Sequence, residues 1–260
     1  MIPKAYITAW QKNAPWQFDF QVEQDLIIER ALVEIYSDPF LKERLAFRGG
    51  TALHKIHLKP QARYSEDIDL VQIKSEPFGP VIDRLRDCLS FLGVPVIKQK
   101  RHNNTLVFSI ESEEENVTLK LKVEVNCREH FAILGFEDEI FKVDTLWYKG
   151  EAKLTTYQIE ELLATKLRAL YQRKKGRDLF DMWYSLSSVG MDTDKIISTW
   201  KAYMQHEGHT VSQKEFIANL EKKAIEEEFL GDIAGLLRPG IKYDNEKAYE
   251  FVKANILMKI

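Results

Sequence analysis

The sequence predicts an α+β protein in which a mixed sheet, flanked by helices, is followed by a helical C-terminal domain. Three observations lead to this prediction. Apolar residues recur at helical spacing over residues 22–37, strand patterns occupy much of residues 67–125, and helical periodicity returns from about residue 152. The expected divisions are a helical leader at residues 1–45, a mixed core at residues 46–150 and a helical domain at residues 151–260.

The composition excludes several classes of protein. A chain of 260 residues that is 45% hydrophobic and 30% charged is typical of a globular protein with a buried core, not of a disordered one. The net charge of −3 gives no overall attraction to nucleic acid, so a polyanion must be bound by local patches. Two cysteines without metal-ligand spacing, and no secretion signal or long apolar run, indicate a cytoplasmic protein.

The first half of the chain predicts a helix, a glycine turn and four strands. The leader helix ends where Asp38-Pro39 interrupts its periodicity, and a short apolar stretch leads into Gly49-Gly50 and a brief helix. In DIDLVQI, Asp67 and Asp69 alternate with apolar residues and share one face of a strand. A helix is expected around residues 80–92, and further strands are expected at residues 94–99, 105–111 and 117–125.

The second half predicts helices almost throughout. Thr155 with Gln158 resembles a capping box, so a helix is expected to begin there and to bury a stripe of leucines. Breaks between later helices are expected near Gly190, Gly208 and Gly231, and at Pro239-Gly240.

Paired carboxylates are the first candidate for chemistry. Side chains two apart on a strand project the same way, so Asp67 and Asp69 can both reach one Mg²⁺ or Mn²⁺ ion. In VTLKLKVEV, Glu124 shares a face with Lys120 and Lys122, and it adds a third carboxylate if this strand neighbours the first. The alternative is ordinary: solvated acids on one strand and a half-exposed strand with mixed charges.

The second candidate is the turn Gly49-Gly50-Thr51. Glycines let a backbone approach phosphates closely, amides at the start of a helix attract anions, and Thr51 adds a hydroxyl. The motif is not a P-loop, because GxxxxGK[ST] is missing. A tight turn without any ligand explains the glycines equally well.

The third candidate lies in LLATKLRALYQRKKGRDLFDMW, residues 162–183. Lys166 interrupts an apolar helix face, and Asp178 and Asp181 stand one helical turn apart. A basic run lies between Lys166 and Asp178, and this run is either an RNA-binding patch or a solvated helix face. The run comprises Arg168, Arg173, Lys174, Lys175 and Arg177.

Four segments resemble, in the same order, the four motifs of the AbiEii/AbiGii-type nucleotidyltransferase toxins. They are FRGGTALHKI, RYSEDIDLV, KVEVN and LLATKLRALYQRKKGRDLFDMW. This family belongs to the polymerase-β-like nucleotidyltransferases, and the resemblance covers residues 3–190 well and the rest weakly. It implies the minimal nucleotidyltransferase fold for the core. The gap between glycines and acids is longer than in the superfamily's simplest members, and the third acid is Glu instead of Asp.

The resemblance also implies roles for individual residues. Gly49, Gly50 and Thr51 would hold the triphosphate of an NTP, with Ser65, Lys166 and Arg177 also at the nucleotide. Asp67, Asp69 and Glu124 would bind the catalytic Mg²⁺ or Mn²⁺, and Glu124 can alternatively serve as the general base. Asp178 and Asp181 match the RDxxD motif of this branch, where an acid acts as base or positions the acceptor.

The implied function is transfer of NMP from an NTP to a hydroxyl, with tRNA as the expected acceptor. The protein would be the toxin of a type IV, abortive-infection-like toxin–antitoxin system that acts in phage defence, with a separately encoded antitoxin. Three alternatives stay open: a transferase for a small molecule or a protein, a non-catalytic nucleotide-binding module, and a structural partner protein. The enzymes are distinguished by whether the label of an NTP is transferred to RNA, to a polypeptide or to a small solute. Pyrophosphate release separates all of them from the binding module.

Overall fold

A computed structural model describes residues 2–260. The chain divides into two compact units, of which the first ends at Tyr157 and the second comprises Gln158–Ile260. None of the helices in the described residues is long and apolar enough to cross a membrane.

A seven-stranded mixed sheet forms the centre of the first unit. Its strand order is β3-β4-β5-β2-β1-β7-β6, in which the pairs β2–β5 and β1–β7 are parallel and the others antiparallel. The strands are β1 (Leu45–Arg48), β2 (Ile68–Gln72), β3 (Val96–Gln99), β4 (Asn103–Glu111), β5 (Thr118–Asn126), β6 (Phe136–Asp144) and β7 (Lys149–Tyr157). The predicted α+β class with a mixed sheet is confirmed.

Within residues 2–260, five α-helices belong to the unit that contains this sheet. They are α1 (Lys4–Trp10), α2 (Asp19–Ser37), α3 (Pro39–Lys42), α4 (Gly49–Ala52), which continues as a π-helical turn over Leu53–His57, and α5 (Gly79–Cys88). The predicted leader helix is α2, and it packs against β5, β6 and β7. It ends where expected, because Asp38 leaves the helical conformation and its side chain caps α3 by accepting a hydrogen bond from Leu41 N.

The predicted strand over residues 117–125 is β5, and its alternation is as expected. Leu119, Leu121, Val123 and Val125 are buried, whereas Lys120 and Lys122 are exposed and Glu124 is half-buried. The same period-2 pattern places Ile68 and Leu70 of β2 in the core. The buried face of the sheet is therefore continuous from β5 to β2, and the polar side chains of these strands share the other face.

The predicted capping box at Thr155 is wrong. Thr155 lies in β7, where its hydroxyl donates a 2.8 Å hydrogen bond to Asp138, and the helix begins only at Ile159. The hairpin of β6 and β7 was not predicted, because four acidic side chains in FEDEIFKVD and Gly150 in β7 weaken the strand signal. Cross-strand pairing supplies the missing preference, since Asp138 stands opposite Thr155.

Six helices make up the second unit, with breaks at or near the predicted glycines. They are α6 (Ile159–Gln172), α7 (Gly176–Ser188), α8 (Thr193–His206), α9 (Gln213–Lys223), α10 (Glu227–Gly231) and α11 (Asn245–Asn255). Helix α6 packs against α7, α8 and α9, and α7 packs against α10 and α11. Fully buried Trp200, Phe180 and Phe216 contribute to this core, as the predicted helical C-terminal domain requires.

Candidate active site

Asp69 and Glu124 lie opposite one another on neighbouring strands. Strands β2 and β5 run parallel, and Asp69 pairs in register with Glu124. Asp67 precedes β2 by one residue and is separated from Asp69 by the buried Ile68, so both aspartates share the polar face. The structure therefore brings together the three carboxylates that the sequence singled out, because their two strands are neighbours in the sheet.

Burial raises the pKa of two of these carboxyls. For Asp67 the pKa rises to about 6, through burial first and then through the charges of Glu66 and Asp69, against the opposing effect of Lys122. For Glu124 the pKa rises through burial and the negative charge of Asp69. Negative charge is therefore concentrated here in poorly hydrated surroundings, where a cation would relieve both burial and repulsion.

The carboxylate oxygens differ in their partners. Asp67 Oδ1 is buried without any hydrogen-bond partner, while Oδ2 lies 3.4 Å from Lys122 Nζ. Glu124 Oε1 accepts a 3.1 Å hydrogen bond from Asn103. Within residues 2–260, no three His, Cys, Asp or Glu side chains are arranged to enclose a metal ion by themselves. Mg²⁺ does not require such an enclosure, because it is usually bound through one or two carboxylates together with substrate phosphates.

The glycine turn lies directly against Asp69. Gly49 has a φ of +79°, which favours glycine, and a β-carbon placed there would lie 2.1 Å from Asp69 Oδ2. The preceding residue, Arg48, pairs in register with Asp69 across β1 and β2. The backbone at Gly49 can approach the carboxylates this closely only because it has no side chain.

Thr51 links this turn to the segment that carries the acids. Its side chain is buried, and the hydroxyl donates to the backbone carbonyl of Asp67 and lies 2.8 Å from Ser65 Oγ. In this arrangement the Thr51 hydroxyl fixes the loop before β2, and its backbone amide belongs to the short helix α4. Ser65 is partly exposed beside it.

Lys166, Asp178 and Asp181 come together inside the second unit. Lys166 Nζ lies 3.2 Å from Asp178 Oδ1 and 2.9 Å from Asp181 Oδ2, and both aspartates are fully buried. Arg173 adds a two-pronged contact to Asp178, with hydrogen bonds of 2.7 and 2.8 Å. Burial alone would raise the pKa of Asp178, but Lys166 and Arg173 outweigh it and lower the pKa. These three residues thus form a buried ion cluster between α6 and α7.

The basic run in the second unit is matched by acids that are distant in sequence. Arg168 pairs with Glu207, Lys174 with Glu226, and Lys175 with Glu228 and Asp232. Arg177 also contacts Asp232, through its backbone amide at 3.1 Å and its side chain at 3.8 Å. The positive field of this run is therefore largely neutralised within the unit itself.

Several side-chain contacts in the first unit were not identified from the sequence. Arg48 forms a 2.6 Å ion pair with Glu129, Lys122 contacts Asp67, and Asn103 contacts Glu124. Lys55 is buried in the π-helical turn and pairs with Asp25 and Glu29 of α2, at 2.8 and 2.6 Å. The signal for Lys122 was its place two residues before Glu124, on the same strand face. The other contacts depend on pairings between distant segments that no local pattern shows.

Comparison with known proteins identifies the family. Residues 30–251 match the family "Nucleotidyl transferase AbiEii toxin, Type IV TA system". A search of curated protein sequences finds no match. Three similar solved structures, at 16–17% sequence identity, support the fold alone. They are MenT4, a nucleotidyltransferase toxin from Mycobacterium tuberculosis (16% identity, 100% of this chain and 91% of that chain, TM-score 0.67), JHP933 from Helicobacter pylori (17%, 91% and 90%, 0.55) and a putative nucleotidyltransferase from H. pylori (17%, 91% and 93%, 0.55).

The family match spans most of the chain, including the glycine turn, the three carboxylates and the buried cluster of the second unit. The sheet that carries the acids belongs to a fold shared with nucleotidyltransferase toxins. The chain therefore belongs to the AbiEii nucleotidyltransferase toxin family of type IV toxin–antitoxin systems and is a nucleotidyltransferase.

Proposed function

We propose that this protein transfers a nucleoside monophosphate from an NTP to a hydroxyl of tRNA, as an abortive-infection toxin that acts in phage defence. One observation carries the proposal: Asp69 faces Glu124 across parallel strands, with the glycine turn in contact with Asp69. Family membership implies an NTP as substrate and an antitoxin as partner. The division into leader, transferase core from residue 46 to about residue 150, and helical domain is part of the same proposal.

The residues present fit a divalent cation. Asp67 offers a buried oxygen without a hydrogen-bond partner, and burial raises the pKa of both Asp67 and Glu124 despite the opposing charge of Lys122, so a bound cation would offset the cost of ionising them. Asp67 and Asp69 would hold Mg²⁺ or Mn²⁺, with Glu124 beside them. When bound, the ion would polarise phosphoryl oxygens and offset the charge that develops during transfer.

The chain's own contribution is to hold and align the donor. Gly49 and Gly50 would present backbone amides to the triphosphate, with Ser65 at the rim of the turn. Thr51 would act by fixing this turn to the Asp67 carbonyl. Arg177 is kept as a proposed contact of the NTP on the motif resemblance alone. Positioning of this kind, which brings acceptor and phosphorus into line, is the main source of rate in phosphoryl transfer.

The acceptor hydroxyl must lose a proton during the transfer, and we propose Glu124 as the general base that accepts this proton. This carboxyl is half-buried, and its pKa is raised, which makes it a stronger base than an ordinary glutamate. Asp178 and Asp181 are fully buried and bonded to Lys166, so we propose that they act by fixing α6 against α7. A phosphate contact by Lys166 would require Nζ to leave these two carboxylates.

A tRNA acceptor is consistent with a toxin that blocks translation, and it places the reaction in the cytoplasm, where tRNA and NTPs occur. The antitoxin is proposed to be separately encoded and to act as a repressor or an inhibitor. A protein or small-molecule acceptor is the alternative within the same chemistry, and a binding module without turnover is the alternative outside it.

The test is an incubation of the protein with total tRNA, Mg²⁺ and each α-labelled NTP in turn, beside an Asp69→Asn variant. The expected result is label on tRNA with one nucleotide, pyrophosphate release, and neither product with the variant. Label on polypeptide or small solute would replace the tRNA assignment. NTP binding without pyrophosphate release, with every acceptor class present, would overturn the transferase mechanism at this site.

A further inference from the structure

A row of five residues crosses the polar face of the sheet. From β3 to β1, successive register pairs join Lys98, Thr105, Glu124, Asp69 and Arg48. Register partners project to the same face, so Lys98 lies on the face that carries the candidate acids. It stands two strands from Glu124, a distance of about 10 Å at the usual strand spacing.

Further cations surround this row. Lys120 and Lys122 share the face on β5, and the turn between β3 and β4 carries Lys100 and Arg101. The turn is held near the end of β5, because Cys127 N donates a 2.8 Å hydrogen bond to the His102 carbonyl. Lys100 N also donates a 2.9 Å hydrogen bond to the carbonyl of Asn103, whose side chain contacts Glu124, so Lys100 lies near that carboxylate.

These cations differ from the basic run of the second unit. Lys98, Lys100, Arg101 and Lys120 are all exposed, and among the residues that the structure describes none of them forms an ion pair. The cations of the other run each have a carboxylate partner. Unpaired exposed cations attract phosphates, whereas paired ones must first give up their partners.

The opposite end of the same strands has the opposite charge. The turn between β4 and β5 contains Glu113, Glu114 and Glu115, and Glu111 is exposed at the end of β4. The basic face therefore ends before this turn. A polyanion that follows the cations is directed toward Glu124 and Asp69 and away from the acidic turn.

We infer that the exposed cations of β3, β5 and the β3–β4 turn bind the phosphate backbone of the acceptor RNA and lead its reacting end to Glu124. The inference rests on the proposed function and assigns acceptor binding to this basic face, not to the basic run of residues 168–177. The defining residues of the basic face are the unpaired cations Lys98, Lys100, Arg101 and Lys120. Lys122 also lies on this face, but it pairs with Asp67.

Two matched double variants test this assignment. Lys98→Gln/Arg101→Gln removes two unpaired cations, and Lys174→Gln/Lys175→Gln removes two paired ones. Binding of total tRNA is measured from low to moderate salt. Each lost phosphate contact reduces the slope of log K against log salt by about 0.7 for a single strand and about 0.9 for a duplex, so the first variant should lose about 1.4 to 1.8 with tRNA. The second variant should retain the wild-type slope.

Turnover gives a second readout. The first variant should raise KM for tRNA and leave KM for the NTP and the melting temperature at wild-type values. Suppose that the wild type labels tRNA, but the salt dependence of binding is reduced only in the second variant or in neither variant. The assignment to the basic face is then wrong, while the transferase function stands. If the wild type labels no RNA but the first variant still loses slope, the basic face stands and the proposed acceptor reaction falls. A wild type that neither binds nor labels tRNA overturns both.

Discussion

Gly49 and Asp69 fit against each other without space for another carbon atom, since a β-carbon at Gly49 would lie 2.8 Å from Asp69 Cβ and 2.1 Å from Oδ2. These atoms belong to the side chain that faces Glu124. The glycine turn and the carboxylates are therefore one steric unit, and a change in the turn must displace an acid.

Replacement of Gly49 by alanine should abolish most activity in a folded protein. The clash moves Asp69, and a displacement of about 1 Å at a reacting centre can cost about 100-fold in rate. Gly135→Ala is the matched control, because Gly135 also has a positive φ, +82°, but nothing lies within 4 Å of the added carbon. Both variants should lose about 1–2 kcal/mol of stability for the left-handed backbone. Equal transfer rates in the two variants would contradict the steric unit.

Asp67→Asn should make the metal-free protein more stable at pH 8 while it removes activity. The folded pKa of Asp67, about 6, lies above its usual value of 3.8, so the folded state retains a proton that the unfolded state releases. Stability therefore falls as pH rises from about 4 to about 6, and the full cost is present above that range. Removing the charge should recover on the order of 1–3 kcal/mol in chemical unfolding at pH 8.

A comparison variant for this measurement is Asp144→Asn. Its carboxyl is exposed, and the hydrogen bond from Lys149 lowers its pKa, so its ionisation does not oppose folding. No gain in stability at pH 8 is expected. A loss of stability in Asp67→Asn at this pH would show that the Asp67 charge is already compensated.

Mg²⁺ should raise the melting temperature more at pH 8 than at pH 5. At pH 8 the carboxyl of Asp67 is ionised and repels Asp69, whereas at pH 5 most Asp67 side chains carry a proton. A cation can therefore replace repulsion by attraction only at the higher pH. Thermal melts with and without Mg²⁺ at both pH values measure the difference. The Asp69→Asn variant should lose this difference between the two pH values. An equal shift of the melting temperature at both pH values in the wild type would rule out these carboxylates as the ion's ligands.

Lys166→Met should strongly destabilise the second unit. It leaves the fully buried Asp178 and Asp181 without their shared cation, a change that typically costs about 3–5 kcal/mol. Lys174→Met breaks an exposed pair with Glu226 and should cost far less stability, because solvent-exposed ion pairs contribute little to folding. Urea unfolding of the two variants gives the contrast. A small cost for Lys166→Met would indicate that Lys166 is not held in the buried cluster, which would favour its predicted phosphate contact.

The sequence predicted the polar face of the sheet better than it predicted the ion pairs of the second unit. Alternation in residues 117–125 placed Glu124 opposite a buried stripe, and this needed only the period of two. Lys166 and the basic run could be identified but not interpreted. Their partners, Asp181 and Glu226 among them, are brought near by helix packing, and packing leaves no periodic trace at a single position.

The β6–β7 hairpin was missed for a related reason. Its strands are stabilised by cross-strand pairs such as Asp138 with Thr155, so neither strand has a strong pattern alone. The missed hairpin also explains the misplaced helix start, since Thr155 belongs to a strand. Long-range pairing, not local preference, decided both points.

The hydrogen bond from Thr51 to the Asp67 carbonyl has a thermodynamic consequence for the proposed site. It joins the turn that would bind the triphosphate to the residue that would bind the cation, so neither can be ordered without the other. Nucleotide and cation should then bind cooperatively, each strengthening the other by the same factor. Thr51→Val would reduce this coupling even though it removes no group that contacts either ligand.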